Sequence, residues 1–230
     1  MHGSSPTLIF DVEGTLIDCV AQTLESWRQT LSEFGHSFAR DELQPYSGMD
    51  GAEMLDCLLP KLSDDKKKQV LKQQGELFRA QYLHRVQPFP EVLETFEALR
   101  KRGVILAIAT TCKHDELAVY DKQMQVLGLM DAVACGDDVK RGKPHPDLFS
   151  LALRKLRIAD LSGALAIGDT PYDARAATAL GLGTIGVLTG GFSRAALQEA
   201  GCIALLDQVR HIVPHLASGD DVLERVLDDS

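Results

Sequence analysis

The chain lacks an excess of positive charge and any long apolar run. Its 24 lysines and arginines are outnumbered by 33 aspartates and glutamates, which gives a formal net charge of −9 over 230 residues. This balance argues against a protein that binds nucleic acid mainly through its phosphates, and weakly against one that binds an anionic membrane surface. The longest apolar run, residues 104–109, is far shorter than the ~18 residues that a membrane-spanning helix needs.

Paired cysteines are also missing. The five cysteines are odd in number, widely spread and free of any CxxC pair: Cys19, Cys57, Cys112, Cys135 and Cys202. This usage predicts buried or half-buried thiols in a reducing cytosol, not a disulfide framework or a zinc site. Because the first residues have neither the basic nor the apolar region of a secretory signal, we expect a cytoplasmic protein.

The apolar residues, 45% of the total, suffice for a sizeable core. Six short apolar runs have the length of strands and lie at 7–10, 104–109, 132–135, 164–167, 184–187 and 203–206. Four helical patterns lie between the later runs, at 113–127, 146–156, 172–180 and 193–200. Strands that alternate with helices predict an α/β fold with a doubly wound parallel sheet.

A long insertion separates the first two predicted strands, which are more than 90 residues apart. Its pattern is helical, because one apolar stripe has spacings of 4, 3, 4 and 3: Val20, Leu24, Trp27, Leu31 and Phe34. Ser63 is the expected N-cap of a later helix in the insertion. We therefore predict a helical domain over residues 18–87, with residues 1–17 and 88–230 forming the core domain.

Acids, hydroxyls and one lysine follow four of the predicted strands. They are Asp11 and Glu13, Thr110 and Thr111, Lys143, and Asp169 and Asp173. Since ligands of open parallel sheets bind beyond the carboxyl ends of the strands, we expect these side chains to share one edge. Clustered acids repel each other, and a divalent cation relieves that repulsion. Carboxylate oxygens suit Mg²⁺, which we therefore predict as the cofactor.

In chain order, these segments resemble the four motifs of the haloacid dehalogenase-like (HAD) hydrolase superfamily. Residues 8–18 match hhhDxDGTLxD, Thr110 ends a hydrophobic strand, Lys143 precedes Pro-x-Pro, and residues 168–173 match GDxxxD. The resemblance runs from residue 8 to about residue 191 and implies a Rossmann-like core with an inserted C1 cap. The segments 14–16 and 47–49 resemble the phosphoglycolate phosphatase and β-phosphoglucomutase-like branch.

The resemblance implies a role for each matched residue. Asp11 would attack phosphorus and form an aspartyl-phosphate. Asp11, the backbone carbonyl of Glu13 and Asp169 would hold Mg²⁺, whereas Asp173 would support the metal directly or through water, or orient Lys143. The cation of Lys143 would face nucleophile and phosphate. A hydroxyl, that of Thr110 or alternatively of Thr111, would bind a phosphoryl oxygen, and Gly14 would let backbone amides approach the phosphate.

Glu13 departs from the family pattern, in which an aspartate protonates the leaving oxygen and then activates water. Glutamate keeps the carboxylate but lengthens the arm, and acid–base catalysis depends on placement. An adjusted working pocket, a slow or altered reaction and a degenerate binding protein all stay open.

We predict a Mg²⁺-dependent phosphatase that acts on a small phosphorylated metabolite, and the family resemblance implies a metabolite similar to phosphoglycolate. The alternatives are a sugar-phosphate mutase and a low-activity phosphate-ligand-binding protein. We expect no nucleic-acid or membrane partner, and a monomer or homodimer. His114 and Arg141 are further candidates for substrate contacts.

Overall fold

The structure, a computed structural model, describes residues 5–217. The strands are β1 (Thr7–Phe10), β2 (Ile17–Asp18), β3 (Gln87–Pro88), β4 (Ile105–Ala109), β5 (Ala132–Ala134), β6 (Ala164–Gly168), β7 (Gly183–Val187) and β8 (Cys202–Leu206). The helices are α1 (Val20–Glu33), α2 (Arg40–Leu43), α3 (Gly51–Leu58), α4 (Asp64–Gln81), α5 (Val92–Lys101), α6 (His114–Met124), α7 (Asp147–Leu156), α8 (Pro171–Thr178), α9 (Arg194–Glu199) and α10 (Ile212–Ala217).

Six strands form one sheet in the order β5-β4-β1-β6-β7-β8. Every pairing in this sheet is parallel, and Leu8 of the central strand lies opposite Leu106 on one side and Leu165 on the other. After β1 the chain builds the sheet outward on one side and then returns to build the other side. The predicted doubly wound α/β fold is therefore confirmed.

Both faces of the sheet are covered by apolar cores, because side chains alternate between the faces of a strand. Leu8 and Phe10 pack into the core on one face, whereas Ile9 packs into the core on the other. All four residues of β1 are buried. Burial on both faces explains why this strand is a continuous apolar run rather than an alternating one.

The ends of the elements differ slightly from the sequence prediction. Helix α6 ends at Met124 and not at residue 127, because Gln125 adopts a left-handed conformation with φ of 56°. The Asp121 carboxylate then accepts hydrogen bonds from the backbone N–H groups of Val126 and Leu127, which satisfies the chain beyond the helix end. Such local polar contacts leave little trace in apolar periodicity.

The inserted segment contains α1 to α4 and has its own apolar cluster. Leu24, Trp27 and Leu31 of α1 are buried in it together with Leu55 and Val70. The predicted stripe thus forms the packed face of α1, and the inserted helical cap is confirmed as part of the fold. Ser63 stands before α4 but its side chain makes no capping hydrogen bond. The exact domain boundaries stay a prediction.

Within the described residues, no helix is both long and apolar enough to cross a membrane. The cysteines are all free thiols, and three of them are buried. Cys57 is exposed, so the expectation that all five are buried or half-buried was wrong at this position. It lies in the last turn of the short helix α3, one residue before the helix ends at Leu58.

Candidate active site

Three neighbouring strands bring their polar residues to one edge of the sheet. Asp11 follows β1, Thr110 follows β4 and Asp169 follows β6, and β1 lies between the other two. The backbone N–H of Asp11 donates to the carbonyl of Ile167 at 2.8 Å, which fixes the chain as it leaves the sheet. The candidate site therefore lies where the winding of the sheet changes direction, which is the usual position for ligands in this class of fold.

Lys143 places a buried cation between two carboxylates. Its Nζ lies 2.7 Å from Asp11 Oδ1 and 2.6 Å from Asp173 Oδ1, and the residue is 1% exposed. Burial alone would lower the pKa of Lys143, but the two carboxylates outweigh it and raise the pKa, so the amine stays charged. Burial raises the pKa of Asp11 to about 6, and the Lys143 charge limits that rise.

Asp173 is in direct contact with the Lys143 ammonium. It lies in the first turn of α8, where its Oδ2 accepts hydrogen bonds from the Thr170 backbone at 3.1 Å and the Thr170 hydroxyl at 2.6 Å. Its Oδ1 faces Lys143. Because both oxygens are engaged, Asp173 is better suited to holding Lys143 than to binding a metal by itself.

Asp169 has the geometry of a cation ligand. Its Oδ1 accepts a hydrogen bond from the Thr15 hydroxyl at 2.7 Å, whereas its buried Oδ2 has no hydrogen-bond partner among the described residues. Oxygen atoms of Asp11, Asp169 and Asp173 lie within 4.8 Å of one another. Burial, with the charge of Asp11, raises the pKa of Asp169 well above its ordinary value. An unpartnered oxygen among buried acids fits a divalent cation, which would offset their repulsion.

Two glycines bring backbone against the Asp169 carboxylate. A Cβ on Gly14 would lie 2.3 Å from Asp169 Oδ2, and one on Gly190 would lie 1.9 Å from the same atom. Gly14 also has φ of +84°, a left-handed conformation that side chains disfavour. The Thr189 hydroxyl donates to the Gly14 carbonyl and joins the two loops. Position 14 thus requires glycine for two reasons: its left-handed backbone conformation, and the lack of space for a Cβ beside Asp169.

The two candidate hydroxyls are placed differently. Thr110 is fully buried, and its Oγ1 accepts a hydrogen bond from the backbone N–H of Cys112 at 3.3 Å. Thr111 is half-buried and lines a cavity between the cap and the core. Which of the two binds a phosphoryl oxygen stays a prediction.

Glu13 points its carboxyl toward α6. The Tyr120 hydroxyl donates to Glu13 Oε1 at 2.8 Å, and Tyr120 is buried. Burial raises the pKa of Glu13 to about 8, and the nearby charge of Glu116 contributes to the rise. A carboxyl with this pKa holds its proton at neutral pH, as a general acid must before it donates.

A cavity of about 440 Å³ lies over this edge, between the cap and the core. The core contributes charged residues, Glu13, Lys113, Glu116 and Lys140, together with Thr111 and Cys112. The cap contributes mainly apolar groups, among them Trp27, Tyr46, Met49, Met54, Leu71 and Phe78, and also Arg79. Glu13 and Thr111 connect the cavity to the acid cluster. A larger depression of about 580 Å³ has none of the predicted site residues in its wall.

The cap loop before α3 contacts Lys143 and Thr170 of the core site. The backbone N–H of Asp50 donates to the Lys143 carbonyl at 2.9 Å, and Gly48 packs against the Thr170 side chain. On the far wall of the cavity, Arg79 of α4 pairs with Glu116 of α6 at 3.2 Å. These contacts hold the cap against the core around the cavity.

Two further candidates lie outside the cavity. His114 is exposed and its Nε2 lies 3.0 Å from Asp138 Oδ1. Arg141 is exposed and pairs with Asp147 at 2.8 Å. Neither side chain lines the cavity, so the expectation that they contact substrate gains no support from the structure.

Sequence reasoning missed five residues that the structure places at the site: Thr15, Tyr120, Thr170, Thr189 and Gly190. Thr189 and Gly190 follow the end of β7, so the same inspection of strand ends would have found them. Thr15 and Thr170 each stand beside a predicted acid. Tyr120 has no such signal, because it lies on a helix 107 residues away from Glu13.

Comparison with known proteins identifies relatives along most of the chain. The haloacid dehalogenase-like hydrolase family matches residues 8–187. The chain is 29% identical over 182 residues to pyrophosphatase PpaX of Bacillus pumilus, covering 79% of this chain and 82% of that protein. It is 26% identical over 205 residues to a phosphorylated carbohydrates phosphatase of Thermotoga maritima, covering 86% and 93%. The crystal structure of a hydrolase from Pseudomonas syringae, 27% identical, matches with a TM-score of 0.86 over 94% of this chain and 99% of that one.

Proposed function

The chain belongs to the haloacid dehalogenase-like hydrolase family, and from this premise we propose that it is a Mg²⁺-dependent phosphatase that hydrolyses a small organic phosphate through an aspartyl-phosphate at Asp11. The observation that carries the proposal is the buried Asp11, which pairs with Lys143 and lies close to Asp169, whose Oδ2 has no hydrogen-bond partner in the described part of the chain. A nucleophile in this position faces a fixed positive charge where a phosphoryl group brings negative charge.

The reaction follows from the placement of these groups. An oxygen of Asp11 attacks phosphorus while the bond from phosphorus to the leaving oxygen breaks, and Glu13 gives that oxygen its proton. Water then attacks the phosphorus of the aspartyl-phosphate, Glu13 takes a proton from it, and Asp11 is released with inorganic phosphate. Asp11, Asp169 and the Glu13 carbonyl would hold Mg²⁺, which supplies positive charge against the phosphoryl oxygens. Lys143, kept in place by Asp173, stabilises the same charge from within the core.

The cavity supports an organic leaving group. The cap wall presents Trp27, Tyr46 and Phe78, which suit the carbon skeleton of a metabolite more than a second inorganic phosphate. Lys113 and Lys140 at the core side suit an additional anionic group such as a carboxylate. A phosphoglycolate-like substrate fits both features, a sugar phosphate fits only the first, and inorganic pyrophosphate fits only the second. We keep the expectation of a cytoplasmic monomer or homodimer without nucleic-acid or membrane partners as part of the proposal.

The test is phosphate release from a panel of esters. Purified protein should release phosphate from p-nitrophenyl phosphate, 2-phosphoglycolate and a hexose phosphate with Mg²⁺, more slowly from pyrophosphate, and not at all in excess EDTA. Full activity with EDTA would refute the metal assignment, and a preference for pyrophosphate would refute the organic leaving group.

The nucleophile is tested by substitution. Asp11→Asn keeps the size of the side chain but replaces the attacking oxygen, so turnover should fall at least about 10³-fold. Acid quenching of wild type with labelled substrate should trap phosphate on the protein, and Asp11→Asn should trap none. Label retained in Asp11→Asn would move the covalent step to another residue.

A further inference from the structure

We propose that Tyr120 is a positioning residue: its hydroxyl holds the glutamate at position 13 so that the longer arm can serve where the family carries aspartate. The inference rests on the proposed function, because it assigns Tyr120 a role through the proton transfer of Glu13.

The contact is direct and lies in a rigid setting. Tyr120 Oη is 2.8 Å from Glu13 Oε1, and Tyr120 is 1% exposed. Its ring belongs to the main apolar core together with Leu117 and Met124 of the same helix. A buried aromatic ring on a helix cannot move far, so its hydroxyl is a fixed point for the carboxyl to bind.

The need for such a fixed point follows from the chemistry of the arm. Glutamate has one more methylene and one more rotatable bond than aspartate, so its carboxyl explores more positions unless a contact selects one. Within the described part of the chain, the Tyr120 hydroxyl makes the one hydrogen bond to the Glu13 carboxyl. The neighbouring Glu116 cannot replace it, because Glu116 is an acid already engaged by Arg79 at 3.2 Å.

The hydrogen bond also gives the two carboxyl oxygens of Glu13 different roles. Oε1 accepts from Tyr120, which leaves Oε2 as the oxygen that exchanges a proton with the leaving group and with water. Glu13 is one of the residues that line the cavity, which is the space that the leaving group would occupy. Loss of the hydroxyl should therefore leave the acid present but poorly placed.

The main experiment compares two leaving groups in Tyr120→Phe, which removes one oxygen and keeps the ring. For 2-phosphoglycolate, whose alkoxide needs a proton, kcat/KM should fall about tenfold, a part of the ~10²–10⁴ that general acid–base catalysis contributes. For p-nitrophenyl phosphate, whose leaving group departs without a proton, kcat/KM should stay within about twofold. We compare kcat/KM because it reports the first phosphoryl transfer, whereas kcat also includes the hydrolysis of the aspartyl-phosphate, in which Glu13 takes a proton from water whichever ester was used.

A matched control uses another buried tyrosine. Tyr82 is 8% exposed and its hydroxyl accepts a hydrogen bond from Gln29 at 2.8 Å within the cap. Tyr82→Phe should change kcat/KM for both esters by less than about twofold. In a Glu13→Gln background, Tyr120→Phe should add less than about twofold, because no acid is left to position.

A second variant tests the inference without altering Tyr120. Glu13→Asp shortens the arm and withdraws the carboxyl from the hydroxyl, so the ratio of kcat/KM for 2-phosphoglycolate to kcat/KM for p-nitrophenyl phosphate should fall at least about tenfold. A ratio equal to or above that of wild type would overturn the inference, whether or not Tyr120→Phe folds.

The possible outcomes distinguish failure of the positioning role of Tyr120 from failure of the proposed phosphatase mechanism. If Glu13→Gln slows the alkyl ester selectively but Tyr120→Phe does not, the positioning role is overturned and the phosphatase mechanism stands. Equal losses on both esters in Tyr120→Phe make Tyr120 structural, and a faster alkyl reaction means that it holds Glu13 away from its task. If Glu13→Gln has no selective effect, or no ester is hydrolysed, the proposed mechanism fails and the inference falls with it.

Discussion

Removal of the Lys143 ammonium should strongly destabilise the fold, because this cation is buried between two carboxylates. Lys143→Met keeps a long unbranched side chain but leaves Asp11 and Asp173, whose oxygens lay 2.7 and 2.6 Å from Nζ, without their cation. Removal of one partner from a buried ion pair costs about 3–5 kcal/mol of unfolding free energy. The upper part of that range is expected here, since Asp169 adds a third buried acid to the same space. The centroid of the Phe149 ring lies 5.4 Å from Nζ, so an apolar side chain at this position has an aromatic neighbour.

The assay is urea unfolding followed by circular dichroism at pH 7.5 with EDTA, and Lys155→Met is the matched control. Lys155 Nζ lies 3.1 Å from Asp138 on the surface, where an ion pair contributes about 0–1 kcal/mol. Addition of Mg²⁺ should stabilise Lys143→Met more than wild type, because a cation then faces acids that have lost their fixed positive charge. kcat should fall steeply even where the variant is folded.

Two results would contradict this account of Lys143. A loss below about 1 kcal/mol, equal to that of Lys155→Met, would show that the buried carboxylates do not need the ammonium. A folded Lys143→Met with wild-type kcat would show that the amine has no part in stabilising the phosphoryl group.

Two further predictions concern the acids around the cation site. Gly14→Ala places a methyl group 2.3 Å from Asp169 Oδ2, whereas the control Gly103→Ala has a similar φ of +76° and no atom within 4 Å. Gly14→Ala should therefore lower the melting temperature more than Gly103→Ala does, and it should abolish stabilisation by Mg²⁺. Equal shifts of the melting temperature in the two variants would refute the steric argument. Asp11 has a pKa of about 6 in the folded protein against an ordinary value of 3.8, so its favourable contribution is complete below pH ~3.8 and is lost as pH rises through ~6. Metal-free wild type should consequently lose about 2 kcal/mol relative to Asp11→Asn between pH 4 and pH 7, and parallel stability curves would contradict the raised pKa.

Much of the site could be predicted because its residues are tied to strand ends. Asp11, Thr110 and Asp169 each follow an apolar run directly, and the edge of a parallel sheet brings such positions together whatever lies between them in sequence. Lys143 is less local, since it lies in a loop after β5, and the Pro-x-Pro context indicated it. The role of Asp173 could not be chosen from sequence, because the choice depends on which neighbours its two oxygens meet.

The contacts that sequence reasoning missed are those set by packing between distant elements. Tyr120 reads as an ordinary apolar-face residue of α6, and nothing in its neighbourhood indicates a partner near position 13. Helix ends such as that of α6 depend on single polar contacts and a left-handed residue, which apolar periodicity does not encode. The exposure of Cys57 likewise depends on which face of a short helix meets the cap core.

The two-residue strands β2 and β3 pair antiparallel, with Ile17 opposite Pro88 and Asp18 opposite Gln87. The backbone N–H of Phe89 also donates to the Leu16 carbonyl at 2.9 Å. The chain thus leaves the catalytic core and re-enters it at one clamped point, so the spacing between β1 and α5 does not depend on how many residues lie between the two crossings. Over evolutionary time, the helices α1 to α4 between the two crossings can lengthen, shorten or be replaced as a unit while Asp11 keeps its position relative to the sheet.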